Sequence, residues 1–297
     1  MPNTGHIILV GTIMGTIARF YLLRIDYRQY PSYPQGYTIH LTLGAIAAGL
    51  GAVVIPAILD REYTAITFLA IAIQQFRDIR EIERESLERI EDDELVKRGH
   101  AYIEDISKKF ESRNYVAMIT AISTTAIIYI TGRTSFGVVA GIVTLLVMRS
   151  FIKNELIGDI AEVRPGHIHF KGPLLMVDDV VITNVGLKKS RERLLERGMA
   201  ATLIPKDDNA RVTLSNIGQR QAILHDVVSI LGVCRENDEP EFMPMAKRNS
   251  ENGYICMIAI TMEPDLECML EVIKRVPVVE VSRKQPLDSY FGRKAAD

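Results

Sequence analysis

Two long apolar stretches, one ending at Phe76 and one beginning at Tyr115, are joined by a block dense in charge, QQFRDIREIERESLERIEDDELVKRGHAYIEDISKKFESRNY. Hydrocarbon offers no partners for charges or open backbone, so a charged block wedged between membrane-type segments must face water. The bulk numbers agree with such a division. A mean hydropathy of +0.10 is high for a chain that is 24% charged, and it hides two populations. Residues 7–76 and 115–152 hold the apolar runs, whereas everything after Asn154 reads as soluble protein. A net charge of -2 and a pI near 6.3 give no basic footprint, so nucleic acid is not an expected partner.

A helix crossing hydrocarbon needs roughly 20 mainly apolar residues. IILVGTIMGTIARFYLLRI, residues 7–25, qualifies, and lacks the basic leader and small-residue cleavage site of a signal peptide. Arg19 within it is expected to snorkel toward Arg24 and the interface, the alternative being a functional charge inside the membrane. Residues 39–59 form a second span. TAITFLAIAIQQF, residues 64–76, is 13 residues long. It crosses only if neighbours bury its ends, and a re-entrant or interfacial segment is the alternative. Residues 115–130 and 136–151 complete the set as a hairpin turning at Thr131-Gly132-Arg133-Thr134. Small residues four apart (Gly11 with Gly15, Gly44 with Ala48, Gly137 with Gly141) predict close helix packing within the bundle or between copies. With five spans, Arg24, Arg28, the basic residues of the charged block and Lys153 share one side; Arg61 and Arg133 lie opposite. The basic side is expected to be cytoplasmic, with the N-terminus outside, provided that residues 64–76 cross.

Within the charged block, Arg77–Glu81 and Glu85–Arg89 are spaced for i,i+4 pairing. Ile79, Ile82, Leu87, Ile90 and Leu95 make a loose apolar stripe. The third apolar helix therefore continues outward as an amphipathic helix, Gly99 breaks it, and a helix over 101–113 returns to the bilayer at Tyr115. Such a hairpin is a solvated face or a docking surface.

Residues 62–118 closely resemble the YIEGIA protein family, named for a hexapeptide whose counterpart is Tyr102-Ile103-Glu104-Asp105-Ile106-Ser107. Asp105 stands where the family has Gly, and Ser107 where it has Ala. The flanks QQFRDIR, residues 74–80, and FESRNY, residues 110–115, match the family pattern more closely. Gln74, Gln75, Phe76, Arg77, Glu104 and Arg113 are therefore candidate interaction residues. The resemblance implies a multipass membrane protein of endospore-forming Firmicutes with a role linked to sporulation. It implies no settled reaction.

After Asn154, short β-branched runs alternate with helical patterns. Strands are expected at 167–170, 174–185 and 199–205, with a charged helix at 187–197. ARVTLS (210–215), a helix at 219–231, a strand between 233 and 247, YICMIAIT (254–261), a helix at 265–275 and PVVEVS (277–282) give the order βαββαβ of a ferredoxin-like sandwich. Its pattern is similar to ACT-type regulatory domains. The expected fold class is thus a membrane α-helical bundle of about five spans followed by a cytosolic α/β domain with a ferredoxin-like, ACT-like part at about 210–284. The expected divisions are 1–76, the charged hairpin 77–114, 115–153, and 154–297.

Candidate chemistry is sparse. Cys234, Cys256 and Cys268 lack metal-ligand spacing and read as packing thiols. His167 and His169 share a strand face, but no third ligand is placed with them. The adjacent Asp178 and Asp179 would point to opposite faces of a strand, and read as turn or strand-edge acids. The chain carries no P-loop, HExxH or GxSxG. No catalytic residue, cofactor or metal is assigned. The favoured reading is a membrane regulator that binds the lipid bilayer and a protein partner or second copy. A membrane-bound protease of spore formation and a channel or transporter are the alternatives.

Overall fold

The helices of the first half follow from apolar runs that must satisfy their own backbone. The computed structural model describes residues 3–26, 34–92, 94–151, 155–236 and 239–295. Arg28, Lys153 and Asn154 lie outside the described residues. The chain divides into two units, Met1–Ser86 with Ile106–Lys153, and Leu87–Asp105 with Asn154–Asp297.

Five helices supply the first unit: α1 (Thr4–Asp26), α2 (Pro34–Leu59), α3 (Tyr63–Glu91), α4 (His100–Thr131) and α5 (Thr134–Phe151). Four contain segments long and apolar enough to cross a membrane, at Thr4–Leu23, Gly36–Leu59, His100–Thr131 and Thr134–Phe151. The fifth expected span falls on α3, whose apolar part is only its beginning and which runs unbroken into the charged block. Small residues let these helices touch. A Cβ on Gly15 would lie 2.5 Å from the Ala117 carbonyl oxygen, and one on Gly51 2.5 Å from that of Met118. Ala48, Ala52, Ala117 and Ala121 form a fully buried seam. Outward faces carry Leu9, Ile13, Ile46, Val139, Val143 and Leu146, the apolar exterior that lipid requires.

In the second unit, after the short α6 (Ile157–Ile160), come β1 (Ala161–Pro165), β2 (Ile168–Lys171), β3 (Leu174–Val177) and β4 (Val180–Asn184). They are followed by α7 (Lys188–Arg197), β5 (Met199–Pro205), α8 (Asp208–Ser215) and α9 (Ile217–Leu231). The two-residue strands β6 (Arg235–Glu236) and β7 (Glu239–Pro240), then β8 (Met245–Arg248), β9 (Ile255–Ala259), α10 (Leu266–Arg275) and α11 (Tyr290–Ala295) complete it. The main sheet has the order β1-β5-β9-β8, antiparallel at every pairing. The strand alternation separates two cores. Met199, Ala201, Leu203, Ile255, Met257 and Ala259 pack with Ile223, Leu224 and Val227 of α9 and with Met269 and Ile273 of α10. Ala200, Cys256 and Ile258 pack with Leu175, Val177 and Ile182 of the smaller sheet β2-β3-β4.

The expected βαββαβ order differs at both ends. Residues 210–215 are helical because the Asp207 side chain caps α8, accepting from the Ala210 N–H at 2.7 Å. Residues 277–282 end in a 3-10 turn at Glu280–Ser282, and β1 takes the sheet edge beside β5 along five paired residues. The run 174–185 is two strands, with Asp178 in the left-handed region at φ 50° in the turn between them.

Gly49 and Gly51 test the packing within one helix. Beside Gly49 a Cβ would meet only the Thr12 methyl, at 4.0 Å. Gly51→Ala is expected to destabilise the full chain in detergent by about 1–3 kcal/mol. Gly49→Ala should leave the thermal midpoint unchanged or raise it, through higher helix propensity. Equal midpoints for the two variants would rule out close packing at Gly51.

Candidate functional site

Both flanks of the hexapeptide and the hexapeptide itself lie on α3 and α4, and each unit builds one polar constellation from them. In the first unit the constellation forms around Arg19. Its side chain is 1% exposed, which corrects the expectation of snorkelling. The Nε group donates to Asn114 Oδ1 at 3.2 Å, and the guanidinium carbon sits 5.7 Å from the Phe110 ring centroid. Gly44 makes room for the stem, since a Cβ there would lie 2.2 Å from Arg19 Cγ. Beside this, His40 Nε2 lies 3.8 Å from Glu83 Oε1, and the His40 ring meets Phe110 edge-on at 4.9 Å. Burial raises the Glu83 carboxyl above its ordinary value, and the Arg19 charge opposes that rise. Arg113 and Asn114 are buried too. A cation in a low-dielectric bundle is tolerable when hydrogen-bonded, ring-faced and near an anion. All three conditions are met here.

Of the candidate interaction residues, Phe76 is buried with Ala47 and Met118. Gln74, Gln75 and Arg77 are exposed, and Glu104 is partly buried. Glu111 accepts hydrogen bonds from Arg80 at 3.0 Å and from the Tyr115 hydroxyl at 3.1 Å. Phe110, Glu111, Arg113, Asn114 and Tyr115 thus give the FESRNY flank its structural use. Sequence reading singled out Arg19 but did not bring it together with His40 and Glu83. The available signal was a charge in an apolar run with a glycine-bearing run to pack on.

In the second unit the loop between α3 and α4 is closed by its own acid. Glu91, 4% exposed, accepts from the N–H groups of Arg98 at 2.8 Å and Gly99 at 3.0 Å. Its Oε1 also lies 3.5 Å from the Arg98 guanidinium. Gly99 takes a φ of +87°, which a residue with a Cβ rarely adopts. The loop carbonyls are met by α9: His225 Nδ1 donates to Val96 at 2.6 Å and Gln221 Nε2 to Lys97 at 2.5 Å. A proton on Nδ1 leaves Nε2 to accept from the Ser229 hydroxyl at 3.1 Å. Burial lowers the His225 pKa and favours that neutral form.

The hexapeptide follows directly. Tyr102 and Asp105, three residues apart, share a helix face. Tyr102 donates to Asp226 Oδ2 at 3.4 Å, and Asp105 Oδ1 accepts from the Glu280 N–H at 3.0 Å. Ile103, Ile106 and Ser107 are buried. Gln219 secures the receiving turn, donating to the Pro277 carbonyl and accepting from the Val279 N–H at 2.7 Å. Burial pushes the Asp226 carboxyl up to about 7, against a hydrogen bond from Tyr102 that lowers it.

The remaining chemical candidates sit elsewhere. The His167 and His169 rings stack 5.7 Å apart. Among the described residues no group of three metal-ligating side chains occurs. Asp178 accepts from the His167 N–H at 3.0 Å and the Thr202 hydroxyl at 2.5 Å, so it holds the hairpin turn to the main sheet. Burial raises the Cys256 thiol pKa, making it less reactive.

Two predictions follow from these constellations. Arg19→Ala should cost about 3–5 kcal/mol by leaving buried partners uncompensated. Arg133→Ala in the exposed turn should cost almost nothing. Thermal unfolding in detergent reads both, and equal midpoints would sink the buried-charge account. The folded chain holds the Asp226 proton more tightly than the unfolded one. That stability is therefore fully present below about pH 4 and lost as pH rises through about 7. Asp226→Asn should gain on wild type by at most about 4 kcal/mol across that window, the His225 contribution being common to both. A pH-independent difference in chemical unfolding would contradict this.

Comparison with known proteins adds a lineage to the geometry. A family model described as YIEGIA protein matches residues 7–289. A Bacillus subtilis (strain 168) protein described as "Uncharacterized protein YphB" is 42% identical over 288 residues, covering 97% of each chain. No solved structure matches.

Proposed function

The chain belongs to the YIEGIA protein family, and from that premise we propose that it is an integral membrane regulator of spore formation. In this reading the second unit is cytoplasmic and works by binding a partner rather than by catalysing a reaction. The observation that carries it is the use made of the hexapeptide. Tyr102 and Asp105 are spent on Asp226 and the Glu280 turn, contacts that hold a binding module together. The relative with 42% identity comes from an endospore former, which supports the sporulation link. The basic residues of the charged block support a cytoplasmic placement of that side. The succession of β5, α9, β8, β9 and α10 along the chain, with the sheet order β1-β5-β9-β8, supports a ferredoxin-like plan in which β1 replaces the closing strand.

Deletion of the gene in an endospore former should reduce heat-resistant spore counts at least about tenfold, while vegetative growth is unchanged. Complementation with the full chain should restore the counts. His225→Ala with Gln221→Ala, which releases the loop carbonyls, should fail to restore them although the protein still reaches the membrane. Unchanged spore counts after deletion would sink the sporulation role. Full rescue by the double variant would sink the role of the second unit.

A further inference from the structure

A groove of about 450 Å³ lies between the start of α9 and strand β8, lined by Ile217, Arg220, Gln221, Leu224, Ala246, Lys247 and Arg248. Among the described residues its lining holds three basic residues and no carboxylate. Arg220 is fixed in place, since its two terminal nitrogens donate to the Ala246 carbonyl at 3.1 Å and the Ser215 carbonyl at 3.4 Å. Its Nε is buried without a hydrogen-bond partner among the described residues. Ala246 packs on the core that contains Leu224 of α9. Side-chain alternation places Arg248 on that same face of β8, toward Arg220. Two guanidiniums therefore converge; burial lowers the Arg220 pKa, and repulsion from Arg248 lowers it further. Like charges held together without an acid are unfavourable until an anion arrives. The strand β8 ends the sheet order, so the groove is not closed by another strand. Ile217, 76% exposed, and Leu224 supply an apolar wall. The volume is within the range of small-molecule sites, roughly 300–1,000 Å³.

We propose that this groove binds a small anion, a carboxylate or phosphate group gripped by Arg220 and Arg248, and an apolar portion against Ile217 and Leu224. The site deepens the binding-module reading by naming a ligand class, and it rests on that reading only for its regulatory meaning. The same chemistry describes a free metabolite and an anionic lipid headgroup.

The test uses the full chain in nanodiscs and reads hydrogen exchange at residues 217–224 and 245–248. In phosphatidylcholine discs, citrate or inorganic pyrophosphate at up to about 10 mM, with ionic strength held constant by chloride, should slow exchange severalfold at both segments. Arg248→Gln, a change at an exposed side chain, should raise the apparent Kd about tenfold. Lys188→Gln on α7, outside the groove, should leave it unchanged. Protection that appears only in discs containing phosphatidylglycerol, and is lost in Arg248→Gln, assigns the headgroup as the source. No protection in either lipid overturns the site, as does protection insensitive to Arg248→Gln. Spore counts are not part of this readout, so its failure leaves the deletion result standing, and the reverse.

Discussion

Two backbone carbonyls, those of Val96 and Lys97, decide how the charged block is folded. A loop between helices carries obligatory polar groups, and burying it is possible only if each finds a partner. His225 and Gln221 supply the donors, while Glu91 receives the Arg98 and Gly99 N–H groups on the other side of the same loop. With these groups met, Val96, Tyr102 and Ile103 can all be buried. Removing the α9 donors would leave two carbonyls to water and expose that apolar cluster. The grouping of Leu87–Asp105 with the C-terminal residues is the large-scale consequence of a few side-chain donors.

Local rules made part of this legible. The charge alternation and the return helix rest on spacing within one segment, and α3 and α4 carry them, although α3 ends at Glu91, ahead of the expected break at Gly99. The helix expected at 265–275 follows for the same reason, with Asp265 accepting from the Cys268 N–H at 2.9 Å at the start of α10. Where the pattern misled, a competing interaction was stronger or remote. Residues 210–215 have strand-like composition, but a good cap at Asp207 starts a helix before that preference acts. Residues 277–282 look like an edge strand, yet β1, more than a hundred positions earlier, occupies the edge. Periodicity carries no information about which of two strands wins a shared neighbour.

Arg19 shows the limit of a rule that measures only distance to the interface. Snorkelling asks whether a cation can reach water, not whether partners await it inside. Its hydrogen-bond partner Asn114 is 95 residues away, and Phe110 belongs to the same helical stretch. Both sit in the flank FESRNY, which resembles the family pattern more closely than the hexapeptide does. The flank's composition is therefore intelligible as the receiving surface for a buried guanidinium: an amide to accept, a ring to face the charge, and small Gly44 opposite.

The hexapeptide difference at position 105 can be read in the same terms. A glycine there has no side chain to accept the Glu280 N–H, so a chain with glycine must satisfy that group by other means. Asp105 does it directly, at 3.0 Å, from a fully buried position where an unmatched carboxylate would be costly. Tyr102 on the same face meets Asp226, whose raised pKa places its titration near neutrality. The motif face is thus a contact surface on which Tyr102 meets Asp226 and Asp105 meets the Glu280 N–H. The groove proposed as an anion site brings Arg220 of α9 together with Arg248 of β8, with no carboxylate among its described lining residues. Helix α9 therefore carries the donors that close the loop and one of the two guanidiniums of the proposed site.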